Sequence, residues 1–122
     1  MQNGRGAWKG HARPLLREFR PEVILVSAGF DAHANDLLGG MALGSNSYRR
    51  FAALVSALSR EVGAAPPAFI LEGGYNLDAL AESVAATMRG VGEAPPDWEY
   101  AGGVRSVEES REALSPFWRS LR

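Results

Sequence analysis

The sequence predicts an α/β fold with parallel strands, and three observations carry that prediction. Glu22-Val23-Ile24-Leu25-Val26-Ser27-Ala28-Gly29-Phe30-Asp31-Ala32-His33 opens as an uninterrupted apolar run and breaks at small residues. Such a run reads as a strand buried on both faces, as in parallel sheets. Ala68-Phe69-Ile70-Leu71 repeats the layout and runs into Glu72-Gly73-Gly74-Tyr75-Asn76. Between them lies a stretch with apolar residues at helical spacing, and a crossover containing a helix joins parallel strands, almost always right-handed. In open parallel sheets chemistry sits beyond the carboxyl ends of the strands. Those two ends present Asp31 and Tyr75.

Met1 to Gly6 is polar and glycine-bearing, a loose leader. A helix is expected from about Ala7 to Phe19, with Trp8, Ala12, Leu15, Leu16 and Phe19 as its buried stripe. Pro14 costs ~3 kcal/mol in a helix interior, so the helix starts near Arg13 or kinks there. Arg20-Pro21 ends it, because the residue before proline avoids the helical region. The first strand is placed at about Val23 to Ser27. Gly29 to Gly44 is a loop with four glycines, longer than packing alone requires, and such loops are usually functional.

A helix from about Asn46 to Val62 follows, with Tyr48, Phe51, Ala52, Val55, Leu58 and Val62 on one face. Gly44 or Ser45 caps it, and Gly63 with Pro66-Pro67 ends it. The second strand spans Ala68 to Leu71. Asn76 caps a helix from about Leu77 to Arg89, striped by Leu77, Leu80, Ala81, Val84, Ala85 and Met88, and Asp78 suits its positive end. Gly92 to Gly103 is a connection rich in proline and glycine. Ser106-Val107-Glu108-Glu109 reads as a capping box opening a last helix, which Ser115-Pro116 restarts. Trp98, Tyr100, Phe117 and Trp118 are expected to cover the flank of the sheet.

The 122 residues suffice for one domain with its own core and are few for a multi-domain enzyme. A net charge of −1 gives no general reason to expect nucleic acid or an anionic membrane. Arg5, Lys9, Arg13, Arg17 and Arg20, opposed by Glu18, read as a solvated face. The absence of cysteine excludes disulfides and thiolate metal sites, so any metal must be held by oxygen and imidazole nitrogen. No apolar run approaches the ~20 residues of a membrane span, and no secretory core follows Met1. A cytoplasmic protein without nucleic-acid or membrane partners is expected. Two strands alone do not make a stable sheet, so the chain reads as part of a domain.

Three motifs, in order and at suitable separations, carry a resemblance to a known family. Ser27-Ala28-Gly29-Phe30-Asp31-Ala32-His33, then Asp36-Leu37-Leu38-Gly39-Gly40, then Leu71-Glu72-Gly73-Gly74-Tyr75-Asn76-Leu77 resemble the C-terminal part of the histone deacetylase superfamily. The nearest likeness is to its class II-like branch, with acetoin-utilisation proteins and acetylpolyamine amidohydrolases. The likeness covers roughly Ala12 to Val91. It implies a three-layer α/β/α, arginase-like fold on a parallel sheet, here present as its C-terminal part. Residues 1–122 would be one fragment of a single domain, with 92–122 as a connection and helix.

The resemblance further implies a zinc-dependent amidohydrolase acting on acetyl-lysine or acetylpolyamine-type amides. By the motifs, Asp31 corresponds to a zinc ligand and Tyr75 to the group that hydrogen-bonds the substrate carbonyl and its oxyanion. Leu38 corresponds to a residue at the mouth of the acyl-lysine tunnel. Gly74 would allow close backbone approach to the substrate amide. Leu37 departs from the family's proline, which should loosen the loop. The family's tandem histidines, Asp-x-His ligand pair and monovalent-cation sites have no counterpart here. Asp31-Ala32-His33 spells Asp-x-His, but its neighbours match the single-aspartate motif, so His33 is not assigned as a ligand.

Catalytic zinc takes three protein ligands and keeps one position open. One carboxylate cannot retain the metal, so this chain alone is expected to hold none and to be inactive. Each residue also has a plain structural reading. Tyr75 would be a tyrosine packed at a helix start, Asp31 a loop aspartate capping its own backbone, and Asp36 a loop-stabilising acceptor. His33 would be a polar residue behind the site and His11 a surface residue. Two other functions compete. One is a non-catalytic remnant or interaction module, pairing with a complementary chain or with itself through exposed strand edges. The other is a small phosphate- or nucleotide-binding domain using Gly73-Gly74 before a helix N-terminus, although the Gly-x-Gly-x-x-Gly spacing and a P-loop lysine are missing.

Overall fold

The computed structural model describes residues 11–95 and 105–122. The described residues form two units, residues 22–95 and residues 11–21 with 105–122. Along the chain run α1 (Arg13–Phe19), β1 (Leu25–Ala28), α2 (Ser45–Val62), β2 (Ala68–Leu71), α3 (Leu77–Val91), α4 (Arg105–Leu114) and a 3₁₀ turn, Arg119–Leu121. The expected order of helices and strands is the observed one.

The larger unit is built on the parallel pairing of β1 and β2, with Leu25 opposite Ala68 and Ala28 opposite Leu71. Expected burial of both strand faces is not observed. Leu25 is 63% and Leu71 58% exposed, and the pattern along β1 alternates between exposed and half-buried. The physical reason is the strand count: among the described residues the sheet has two strands, so each has one unpaired edge.

Local signals fix the ends of α2 and α3. Gly44 precedes α2 in extended conformation, and Gly63 closes it at φ 74°, the left-handed region glycine adopts freely. The Asn76 side chain accepts from the Ala79 backbone N–H at 3.0 Å and caps α3. Along α2, Tyr48, Ala52 and Leu58 are buried as expected, together with Ala53, Leu54, Ser56 and Ser59.

The expected stripe of α3 is corrected. Its buried residues are Ala79, Ser83, Ala86, Thr87 and Gly90, whereas Leu77 is 78% and Met88 73% exposed. Small residues win this face because α2 comes so close. A Cβ at Gly90 would lie 2.0 Å from the Arg49 carbonyl oxygen. The Arg49 guanidinium also grips Glu93 beyond the end of α3, at 2.7 Å.

In the smaller unit α1 begins at Arg13 as the direct continuation of a π-helical turn at His11-Ala12, so the winding changes just before Pro14 rather than the helix starting there. The upstream part of that expected helix, Ala7 to Gly10 with Trp8, lies outside the described residues. Arg20 ends α1 at φ 54°, its N–H donating to the Leu16 oxygen at 2.9 Å. Phe19 is exposed rather than buried, touching the Trp118 ring edge-on at 6.3 Å. The expected capping box does not form. Ser106 is already inside α4, and Glu109 pairs with Arg105 at 2.6 Å. The Glu18 carboxylate accepts from the Arg119 and Ser120 backbone N–H groups at 3.1 and 2.7 Å, closing the start of the 3₁₀ turn. Phe117 is exposed, not a flank cover, and Trp98 and Tyr100 lie outside the described residues. No helix among the described residues is long and apolar enough to cross a membrane.

Candidate functional site

The strand pairing continues past the strand ends and brings two loops together. The Glu72 N–H donates to the Ala28 oxygen at 3.1 Å, and the Phe30 N–H donates to the Gly73 oxygen at 2.8 Å. Asp31 follows immediately, and its carboxylate lies against Gly73. A Cβ at Gly73 would sit 2.7 Å from Oδ2, and one at Gly29 would sit 3.0 Å from Oδ1. The two glycines thus form a cradle that only hydrogen atoms can share with the carboxylate. Gly39 approaches the same residue from the other side, its ideal Cβ 1.6 Å from the Asp31 backbone oxygen.

Tyr75 stands two residues beyond Gly73 and is 54% exposed. Gly74 before it holds φ 139°, which side-chain-bearing residues rarely adopt, and its Cβ would press on Leu80 and Phe30 at 3.0 and 3.2 Å. Leu38, on the loop after Asp31, is 72% exposed. The structure therefore gathers Asp31 with the Gly73-Gly74-Tyr75 loop at one end of the sheet and leaves Leu38 uncovered.

The loop after Asp31 is internally ordered. His33 and Leu43 form an isolated parallel bridge, with the Ala34 N–H on the Leu43 oxygen at 2.8 Å. His33 is buried, and both ring nitrogens are engaged. The Asn35 N–H donates to Nδ1 at 3.1 Å, so Nε2 carries the proton and donates to Ser45 Oγ at 3.1 Å. Ser45 in turn donates to Glu82 at 3.3 Å. This tethers the loop to the start of α2 and to the second turn of α3, as a polar residue behind the site would.

Asp36 does more than stabilise its own loop. Its Oδ1 accepts from Leu38 and Gly39 N–H at 2.8 and 3.0 Å, and its Oδ2 accepts from the Tyr75 N–H at 2.7 Å. Those hydrogen bonds, the one from Tyr75 foremost, hold its carboxyl below the ordinary aspartate range. Asn76 Nδ2 adds a second link across the loops, donating to the Asn35 oxygen at 3.0 Å. Neither link was foreseeable from the sequence, since nothing local marks partners 39 and 41 residues away.

Tyr48 forms the floor. Its ring stacks at a tilt on Phe30, centroids 4.9 Å apart, and its buried hydroxyl meets the Ala32 backbone amide only outside ordinary hydrogen-bond geometry. Burial first, then the negative charges of Asp31 and Asp36, pushes the phenol up from its ordinary value. Beside it a cavity of about 320 Å³ runs between the sheet and α2, lined by Val26, Ala28, Phe30, Tyr48, Phe51 and Phe69 among others.

No group of three or more metal-ligating side chains occurs among the described residues. Asp31 offers a carboxylate, but both His33 ring nitrogens are occupied by hydrogen bonds to Ser45 and Asn35. These residues alone do not fit a catalytic zinc, which needs three protein ligands.

Comparison with known proteins bears on what this geometry is for. The histone deacetylase domain family matches residues 5–91. A rice (Oryza sativa subsp. japonica) protein named Histone deacetylase 10, chloroplastic, is 43% identical over 72 residues, covering 59% of this chain and 16% of its own length. Human polyamine deacetylase HDAC10 is 35% identical over 115 residues, covering 89% of this chain and 17% of its own length. Among solved structures, the HDA15 HD domain superposes with a TM-score of 0.78 at 28% identity, covering 98% of this chain and 32% of that domain. The histone deacetylase Clr3 gives a TM-score of 0.77 at 29% identity, covering 95% of this chain and 20% of that protein. The chain thus spans roughly a sixth of the curated relatives it matches. With its family match, its fold and its paired strand-end loops in agreement, the chain belongs to the histone deacetylase family.

Proposed function

We propose that this chain supplies the Asp31 carboxylate and the Tyr75 hydroxyl to a zinc-dependent deacetylase centre that removes acetyl groups from acetylated amines. The remaining metal ligands come from residues beyond these 122, in the same polypeptide or a complementary chain. By itself the chain does not hydrolyse amides. The observation that carries this reading is the contact of the Asp31 carboxylate with Gly73, which sets a metal-ligating group beside the loop that bears Tyr75.

When bound in a completed centre, zinc would polarise the amide carbonyl and activate water. The rest is work for this chain's own residues. Tyr75, exposed at the loop tip, donates its phenolic O–H to the carbonyl oxygen as negative charge grows there. Gly74 lets the backbone come close to the amide, and Leu38 provides apolar contact for the methylene arm of the amine. The substrate is then a long, flexible amine carrying one acetyl group. We place the protein in the cytoplasm, with the chloroplast, for which the rice relative is named, as the alternative compartment.

The test is a chimera in which residues 22–91 replace the matching segment of the rice relative, assayed on an acetyl-lysine reporter and on an acetylated polyamine. The chimera should turn over one or both, and Asp31→Ala should abolish both zinc retention and turnover. A folded chimera whose zinc content is unaffected by Asp31→Ala defeats the proposal.

A second reading is a non-catalytic interaction module, favoured by the exposed faces of β1 and β2. A phosphate-binding role loses its support, because the Asp31 carboxylate occupies the space against Gly73 and would repel an anion.

A further inference from the structure

We infer that Asp36 is a positioning residue for Tyr75: one carboxylate oxygen is locked to its own loop, and the other clasps the Tyr75 peptide and sets where the phenol stands. The inference rests on the reading of Tyr75 as the donor to the substrate carbonyl.

Tyr75 itself has little else to hold it: the neighbouring Asn76 is tied by its cap and by its Nδ2 bond to the Asn35 oxygen, but neither bond is made by Tyr75. Its two preceding residues are glycines, and the tyrosine is more than half exposed, so packing does not fix the ring. The chain is anchored upstream by the Phe30 bond to Gly73 and downstream by the Asn76 cap. Between those anchors, the bond at Tyr75 itself is the one from Asp36, at 2.7 Å. A hydrogen bond to a charged acceptor is short and roughly twice as strong as a neutral one.

The division of labour between the two oxygens gives the clasp its direction. Oδ1 receives the Leu38 and Gly39 N–H groups, so the carboxylate cannot swing. Gly39 lies directly against the Asp31 backbone oxygen. Asp36 therefore references the Tyr75 peptide to the same stretch of backbone that carries the Asp31 carboxylate. A misplacement of about 1 Å in a reacting group can cost ~10²-fold in rate, so a link of this kind has kinetic weight.

Asparagine is the discriminating substitution. It has one acceptor oxygen, and its NH₂ group would face either Tyr75 N–H or the Leu38 and Gly39 N–H groups as donor against donor. The unmodified 122-residue chain is examined first, by amide hydrogen exchange in NMR. Tyr75 N–H should exchange at least tenfold slower than an unprotected amide in the same sequence. In Asp36→Asn that protection should fall at least tenfold. The fluorine line of 3-fluorotyrosine at position 75, assigned through Tyr75→Phe, should shift or broaden. In the chimera, Asp36→Asn should lower kcat at least tenfold with KM within about twofold. Unprotected exchange at Tyr75 in the unmodified chain overturns the clasp. Unchanged exchange and an unchanged fluorine line in Asp36→Asn overturn it equally, and a confirmed clasp with unchanged kcat overturns the positioning role. Because exchange and fluorine spectra need no turnover, failure of the clasp is distinguishable from failure of the deacetylase reading, which shows as a chimera indifferent to Asp31→Ala.

Discussion

Adding one methyl group at Gly73 probes the contact on which the candidate site depends. In Gly73→Ala the new Cβ would lie 2.7 Å from Asp31 Oδ2 and 2.9 Å from Cγ, where ordinary contact begins at 3.4 Å. The carboxylate must therefore retreat by about 0.7 Å, several times the ~0.2 Å latitude of metal–ligand distances. The obstacle is the end of a side chain, so the fold can yield. Stability should fall by ~1 kcal/mol, at the low end of the ~1–3 kcal/mol typical of overpacking. Function should fall further. In the chimera, displacement of the carboxylate proposed to hold the metal predicts a loss of ~10²-fold in kcat/KM. Gly39→Ala is the contrasting control, because its Cβ would strike the Asp31 backbone oxygen and the loop itself must move. Urea unfolding of the 122-residue chain, followed by circular dichroism, measures the first quantity, and reporter turnover by the chimera measures the second. Gly73→Ala with stability unchanged and kcat/KM within twofold of the parent would refute the reasoning.

Tyr75→Phe removes the donor but keeps the ring, so the chimera should lose ~10²–10³-fold in kcat with KM little changed; a larger effect on KM than on kcat would assign the hydroxyl to ground-state binding. Tyr48→Phe deletes a buried hydroxyl whose contact with the Ala32 backbone amide falls short of ordinary hydrogen-bond geometry, and should be neutral or stabilising by up to ~1 kcal/mol in urea unfolding. A loss above that size would show that the hydroxyl is satisfied in solution. The Asp36 carboxyl is held below its ordinary value of 3.8, chiefly by the Tyr75 N–H. Its contribution is therefore present above about pH 4 and is lost as pH falls through the lowered folded value. Protection of the Tyr75 amide, corrected for intrinsic exchange, should be flat above pH 4 and drop below it, and a drop beginning near pH 6 would point to another group.

Punctuation in the chain was legible where the physics is local. Gly63 and Asn76 mark helix ends through backbone freedom and a capping side chain, and each does so in the structure. The span of β2 and the meeting of the two strand-end loops followed from uninterrupted apolar runs that break at small residues. What escaped was set by distance or by neighbours. Periodicity weighs large apolar residues, so it chose Leu77 and Met88 for the inner face of α3, where close approach to α2 selects Ser83, Thr87 and Gly90. Strand burial depends on neighbours, and the sheet described here has two members. The Asp36 link to Tyr75 joins positions 39 residues apart and has no local signature.

The tight seat of Gly90 reaches further than its own helix. About fourteen residues at ~1.5 Å each separate it from Asn76, so it sits some 20 Å from the loop that presents the phenol. With α3 lying flush along α2 there, a bulkier residue would pry the two rods apart at the far end and tilt the near one. A change remote from any chemistry would thus detune the aim of Tyr75 without substituting a single residue of the site.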